Sequence, residues 1–133
     1  MAGVVADTHT LIWYLTNRRR LSFPAWSALD ATADSGDPVF VSAISLVEIM
    51  YLTEKGRLPK TVVERIDQEL GNPDVALAIV PLDVSVARLI ERIPREQVPD
   101  MPDRIIAATA LHLGVPLVTW DGLIRASAIE TVW

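Results

Sequence analysis

Short apolar runs alternate with longer stretches of helical spacing from one end of this chain to the other. The runs Val4–Ala6, Val39–Val41, Ala78–Val80 and Leu117–Thr119 predict strands, and Ile129–Val132 predicts a weaker fifth. Between them the periodicity predicts helices near His9–Thr16, Pro24–Asp34, Ile44–Lys55, Lys60–Leu70, Val84–Ile93 and Asp103–Leu113. Chain breakers fall where these elements should stop: Gly36-Asp37-Pro38, Lys55-Gly56-Arg57, Gly71-Asn72-Pro73 and Gly114-Val115-Pro116. Apolar strands alternating with helices predict an α/β fold, with four to five parallel strands joined by crossover helices that cover both faces.

Composition narrows the class. The 133 residues, half of them hydrophobic, suffice for one domain over residues 1–133 and are too few for two. No internal repeat, low-complexity tract or linker interrupts them. The absence of cysteine excludes disulfides and thiolate zinc sites and suits a reducing compartment. The first apolar stretch lacks a preceding basic residue and is too short for a signal peptide. The longest stretch free of Asp, Glu, Lys and Arg, Ile105 to Trp120, is broken by Gly114 and Pro116 and falls short of the ~20 residues of a membrane span. The expectation is a soluble, cytoplasmic protein.

Candidate chemistry rests on four acids: Asp7, Glu48, Asp103 and Asp121. Asp7 and Asp121 follow predicted strands, Asp103 opens a predicted helix, and Glu48 lies early in the helix after the second strand. Ligands of open parallel sheets bind outside the carboxyl ends of the strands, so all four can face one crevice. Each acid also has a plainer reading. Asp7 suits a helix N-cap, Asp103 an N-cap or a salt bridge to Arg104, and Asp121-Gly122 a turn. Glu48 projects from a face shared by Ile44, Val47 and Tyr51, where a carboxylate needs an ion-pair partner or a metal. Asp100 reads as an outer metal ligand or a solvated loop acid. Together, carboxylates at one sheet edge repel one another and lose hydration, which a shared cation relieves. Oxygen ligands without cysteine or paired histidines point to Mg²⁺ or Mn²⁺, and so to a metal-dependent phosphodiester site.

The net charge of −5 argues against a nucleic-acid partner at first sight. Setting the four acids aside leaves 13 acidic against 12 basic residues, about −1, and bound cations would reverse the local field. Charge therefore does not exclude RNA.

The chain resembles the PIN-domain family, and within it the VapC-type toxins of bacterial toxin–antitoxin pairs. The likeness rests on the segments Asp7 to Trp13, Val41 to Ile49 with Lys55 to Leu58, Asp100 to Ala110, and Leu117 to Asp121, in that order. It departs at Met101-Pro102, where that subgroup often carries proline and an aromatic. The resemblance implies a three-layer α/β/α fold and a Mg²⁺-dependent endoribonuclease leaving 5′-phosphate and 3′-hydroxyl ends. It also implies that Asp7, Glu48, Asp103 and Asp121 hold the metal. As partners it implies an RNA substrate, a small antitoxin and a second copy of the chain.

Metal-activated water is the nucleophile that remains, since there is no cysteine and two histidines do not make a Ser-His-Asp arrangement. His9 reads as a packing or surface residue, and His112 as a cation at a helix end. Thr8, Asp100, Arg104 and Thr119 are the neighbours expected to steady the carboxylates or meet substrate. Lys55, Arg57 and Arg125 are further phosphate candidates, and Arg18-Arg19-Arg20 reads as a solvated cluster closing the first helix. The four tryptophans, Trp13, Trp26, Trp120 and Trp133, could stack bases or anchor partners, with packing the commoner role for at least two. Helix faces carrying Trp13, Tyr14, Met50 and Tyr51 are candidates for partner surfaces. Three rival readings are a PIN nuclease of housekeeping RNA processing, a catalytically silent PIN binding module, and a phospho-acceptor receiver domain. The last lacks its acidic pair after the first strand and its late lysine.

Overall fold

Val4, Val5 and Ala6 carry no polar side chain to either face, and they form a wholly buried strand, β1 (Val4–Ala6). A strand apolar on both faces belongs at the centre of a parallel sheet with helices on each side. The computed structural model, which describes residues 2–72, 74 and 76–133, places it there. β2 (Val39–Ser42), β3 (Leu77–Val80), β4 (Leu117–Val118) and β5 (Thr131–Val132) complete the sheet in the order β3-β2-β1-β4-β5. All neighbours are parallel, with Val5 aligned to Phe40 on one side and to Leu117 on the other.

The helices are α1 (Thr8–Thr16), α2 (Phe23–Asp34), α3 (Ala43–Glu54), α4 (Lys60–Leu70), α5 (Val84–Leu89), α6 (Met101–Leu113) and α7 (Gly122–Arg125). Alternation along β1 divides the core. Val4 and Ala6 pack with Leu11, Leu29, Ile49 and Ile66 of α1 to α4 on one face. Val5 packs with Val86, Ile106, Ala107 and Ile124 of α5, α6 and α7 on the other. The small side chains Ala107, Ala108 and Ala110 let α6 lie close to the sheet, and every residue from Ile105 to Ala110 is buried. Gly114 ends α6 in the left-handed region at φ 67°, a conformation glycine adopts without a Cβ penalty.

Sequence expectation and structure part at element ends. Arg18–Arg20 do not close α1. Asn17 leaves helical geometry, and the arginines form a separate tight 3₁₀ turn. The helix expected over Val84–Ile93 stops at Leu89 and tightens into another 3₁₀ turn at Ile90–Arg92. α6 begins at Met101, ahead of Asp103, because Asp100 caps it. The short helix α7 was not anticipated, and Pro73 of the expected Gly71-Asn72-Pro73 turn lies outside the described residues. Among the described residues no helix is long and apolar enough to cross a membrane.

The topology positions the site. From β1 the chain builds outward through β2 to β3, then crosses back to β4 and β5 on the other flank. Connections leave the carboxyl ends of β1 and β4 in opposite senses, and a crevice opens there.

Candidate active site

Asp7 follows β1 and caps α1, its Oδ1 accepting from the Thr10 amide at 2.9 Å. Its Oδ2 accepts a hydrogen bond from the hydroxyl of Thr119, which follows β4. Asp121, two residues on, caps α7 by accepting from the Leu123 and Ile124 amides at 3.0 and 2.9 Å through one oxygen. The Thr119 hydroxyl also accepts from the Asp121 amide at 3.0 Å, so this fully buried threonine ties the two strand ends together.

Glu48 and Asp103 reach the crevice from helices. Glu48 Oε1 lies 2.6 Å from Thr8 Oγ1, and that hydroxyl lies 2.9 Å from Ser45 Oγ. Thr8 has one proton to give. It donates to the carboxylate and takes the proton of the second bond from Ser45. Asp103 sits in the first turn of α6, and its amide donates to Asp100 Oδ2 at 3.2 Å. The four acids and Asp100 line a single cavity of about 670 Å³, with Thr8, His9, Trp13, Arg20 and Trp120 among its other walls.

Among the described residues the cavity carboxylates have no ion-pair partner, although Arg20 lines the same cavity. The ion pair among those residues is Arg65–Glu69 on α4. Burial pushes the Asp103 carboxyl up to about 7, and Asp100, Asp121, Glu48 and Asp7 add repulsion in that order. Burial likewise raises Glu48. The Thr8 hydrogen bond opposes this, Asp100 adds to it, His9 opposes it and Asp7 adds again. The donor set is all carboxylate oxygen with no thiol, which suits a hard divalent cation. As they stand, the side chains share a cavity without converging on one point: among the described residues no three His, Asp or Glu are gathered as an ion cage.

Residues 4–129 match the PIN domain family. The chain belongs to the PIN-domain family. This PIN domain is 32% identical to Ribonuclease VapC22 of Mycobacterium tuberculosis (strain ATCC 25618 / H37Rv), over 100% of both chains. It is similar in fold to VapBC2 from Rickettsia felis bound to a DNA fragment from their promoter. There the TM-score is 0.72 and the identity 18%, over 98% of this chain and 97% of that one. A toxin–antitoxin complex from Klebsiella pneumoniae matches with TM-score 0.66 and 22% identity, over 98% and 96% of the two chains.

Some sequence expectations for the PIN domain need correction. Arg104 does not adjoin the acids. Its Nε and Nη2 donate to the carbonyls of Ile93 and Ile90, each at 3.0 Å, so it clamps the 3₁₀ turn after α5. That geometry removes the expected Arg104–Asp103 ion pair, and the Asp100 cap removes an N-cap role for Asp103. Neither plain reading of Asp103 survives. That of Asp7 does, since it caps α1 as well as lining the cavity, whereas Asp121, read as part of a turn, instead caps α7. The face of α3 bearing Val47 and Tyr51 is exposed rather than core, and Glu48 turns toward α1 on the side of buried Ser45. Lys55 lies over the Tyr51 ring, and neither it nor Arg57 nor Arg125 lines the cavity. Of the partner-surface candidates, Met50 and Tyr51 are exposed, whereas Trp13 and Tyr14 are half-buried against the core.

Sequence reading did not place Arg20 or His9 at the cavity, and it named Trp120 only as one of four tryptophans able to stack bases or anchor partners. Trp120 had a signal, its place directly before Asp121. Arg20 had none, because the break at Asn17 that swings it toward α1 is not visible in periodicity.

Proposed function

We propose that this PIN domain is a divalent-metal-dependent endoribonuclease, one domain over residues 1–133, acting in the cytoplasm as the toxin of a toxin–antitoxin pair. Asp7, Glu48, Asp103 and Asp121 would hold Mg²⁺, with Mn²⁺ able to take its place. The observation that carries this reading is that four carboxylates from four separate segments line one crevice at the carboxyl ends of the central strands, without an ion-pair partner among the described residues. Full-length likeness to a ribonuclease supports the reaction class. Likeness to a toxin–antitoxin complex supports a small antitoxin partner, and a homodimer is expected with it.

Bound Mg²⁺ supplies charge that neutralises a phosphodiester and lowers the pKa of water. The chain's own residues prepare that chemistry. Thr10 and Thr119 fix the orientation of the Asp7 carboxylate, and each of its oxygens keeps further acceptor capacity. Thr8 holds Glu48 through one oxygen and leaves the other open. Asp121 spends one oxygen on the α7 amides and keeps one. Thr8 and Thr119 are thus positioning residues, and Asp100 sets the start of α6 and with it the place of Asp103.

The test is cleavage of end-labelled RNA by wild type and Asp103→Asn, with Mg²⁺ and with excess chelator. Cleavage by wild type in Mg²⁺ alone is expected. Equal cleavage by both proteins, or cleavage that survives the chelator, would overturn the assignment.

A further inference from the structure

The body of α6 and its first turn are held by different means. Every residue from Ile105 to Ala110 is buried, so the core fixes the helix there. Ahead of that stretch Met101 is 50% exposed, and Asp103 is half-buried. The first turn of a helix lacks the full set of backbone bonds that holds its middle, and it frays unless something else ties it down. The Asp100 cap closes this turn on itself without fastening it to the rest of the domain.

Arg104 supplies the fastening. Its donations to the Ile93 and Ile90 carbonyls, at 3.0 Å each, are the side-chain hydrogen bonds among the described residues that join this turn to another element. Those carbonyls lie where α5 and the 3₁₀ turn after it run out, and a helix end of that kind favours a cation. The planar fork of a guanidinium meets two acceptors at once and so fixes direction as well as distance. Asp100 and Asp103 are close to Arg104 in sequence, yet it forms an ion pair with neither. Side chains of neighbouring helical residues diverge by about 100°, so Asp103 reaches the crevice while Arg104 reaches back toward α5.

The place of Asp103 matters because the acids share a cavity without gathering, among the described residues, into an ion cage. Asp7, Glu48 and Asp121 each accept a hydrogen bond that holds the carboxylate. The described hydrogen bonds give the Asp103 carboxylate no such donor, so its position follows the turn that carries it. A small hard cation demands ligand oxygens at about 2 Å in near-ideal geometry and tolerates little misplacement.

We propose that Arg104 is a positioning residue for Asp103: by tying the first turn of α6 to the turn after α5, it keeps that carboxylate within reach of a divalent cation shared with the other acids. Arg104 thereby sets the affinity for the cation without touching it. This rests on the reading that the acids hold a metal, and it adds the group that keeps the fourth ligand in place.

The experiment follows Mn²⁺ binding to the metal-free full chain without RNA, read from the loss of the free-ion paramagnetic resonance signal. Wild type is compared with Arg104→Met, which keeps an apolar stem and removes the donors, and with Arg104→Lys. Val62→Ala, a core truncation on the other face of the sheet, controls for lost stability. Arg104→Met should weaken Mn²⁺ binding roughly ten- to a hundredfold. Arg104→Lys should recover part of the loss, because an ammonium replaces the fork with a point charge. Val62→Ala should lower the melting temperature and bind Mn²⁺ as wild type does. In RNA cleavage, Arg104→Met should raise the Mg²⁺ concentration for half-maximal rate and leave KM for RNA unchanged at saturating Mg²⁺.

Wild-type Mn²⁺ affinity in folded Arg104→Met overturns the proposal and leaves the metal site standing. Equal weakening in Val62→Ala overturns it too, because lost stability would then account for the effect. Should Arg104→Met fail to fold, Arg104→Lys decides, and unweakened Mn²⁺ binding there overturns the proposal. A wild type that binds no Mn²⁺, or Asp103→Asn binding it as tightly as wild type, overturns the metal reading and the proposal together.

Discussion

The strand edge and the helix wall of the cavity hold their carboxylates by different means. Asp7 and Asp121, at the ends of the central strands, accept backbone amides as helix caps, and the shared Thr119 hydroxyl ties them together. Glu48 has one hydroxyl, and the described hydrogen bonds bring Asp103 no donor at all. Both of these helix-borne groups are raised, although Asp103 lies in a first turn where the helix dipole favours an anion. Burial and four like charges outweigh that dipole. A capping acid is therefore part of the fold as well as of the cavity wall, whereas Glu48 and Asp103 cap no helix.

The sharpest break of this contrast is Asp103→Asn. RNA cleavage should fall to the chelator background, whereas the melting temperature of the metal-free protein at pH 8 should rise, because a buried repulsive charge is gone. A lower melting temperature would place Asp103 among the structural acids. Asp7→Ala should also abolish cleavage, but with a loss of about 1–2 kcal/mol in denaturant unfolding from the missing cap. Equal stability changes in Asp7→Ala and Asp103→Ala would erase the distinction.

Thr8→Val keeps the shape and removes the one donor to Glu48. The Mg²⁺ concentration for half-maximal cleavage should rise by roughly ten- to a hundredfold. An unaltered Mg²⁺ titration would mean that the hydroxyl does not position Glu48. Arg104→Ala should leave KM for RNA unchanged and cost about 1–3 kcal/mol of stability through the lost carbonyl bonds. A raised KM would return Arg104 to the substrate site.

The Asp103 carboxyl also makes stability depend on pH. Asp103 titrates near 7 in the fold against 3.8 for the free side chain, so the folded state holds its proton more tightly than the unfolded chain does. Its contribution to stability is intact below the unfolded value, declines as pH rises from there toward about 7, and is fully lost above. Metal-free wild type should lose melting temperature across that window, and Asp103→Asn should flatten the slope. Identical slopes would show that Asp103 does not carry the effect.

The strands and most helices could be read from the sequence because β1 and β2 are apolar on both faces, and Gly and Pro mark the turns between elements. The gathering of the acids was legible through topology, since carboxyl ends of parallel strands share an edge. Interactions that cross the sheet were not. The Thr119–Asp7 bond joins residues 112 positions apart, and no local pattern encodes it. Arg104 misled because adjacency to Asp103 in sequence suggests proximity, whereas on a helix neighbouring side chains diverge by about 100°. Glu48 was singled out as an acid on an apolar helix, but the face taken for core is exposed and its holding partner, Thr8, lies on another helix.

The central place of β1 has a consequence for synthesis. The first strand made stands in the middle of the sheet, and its partner β4 is made after more than a hundred further residues. Chains grow from the N-terminus at roughly 5–20 residues per second. A nascent chain therefore carries Asp7 and Glu48 for several seconds before Asp103 and Asp121 exist to close the crevice. The four acids proposed to hold the metal are thus not all present until Asp121 has been added.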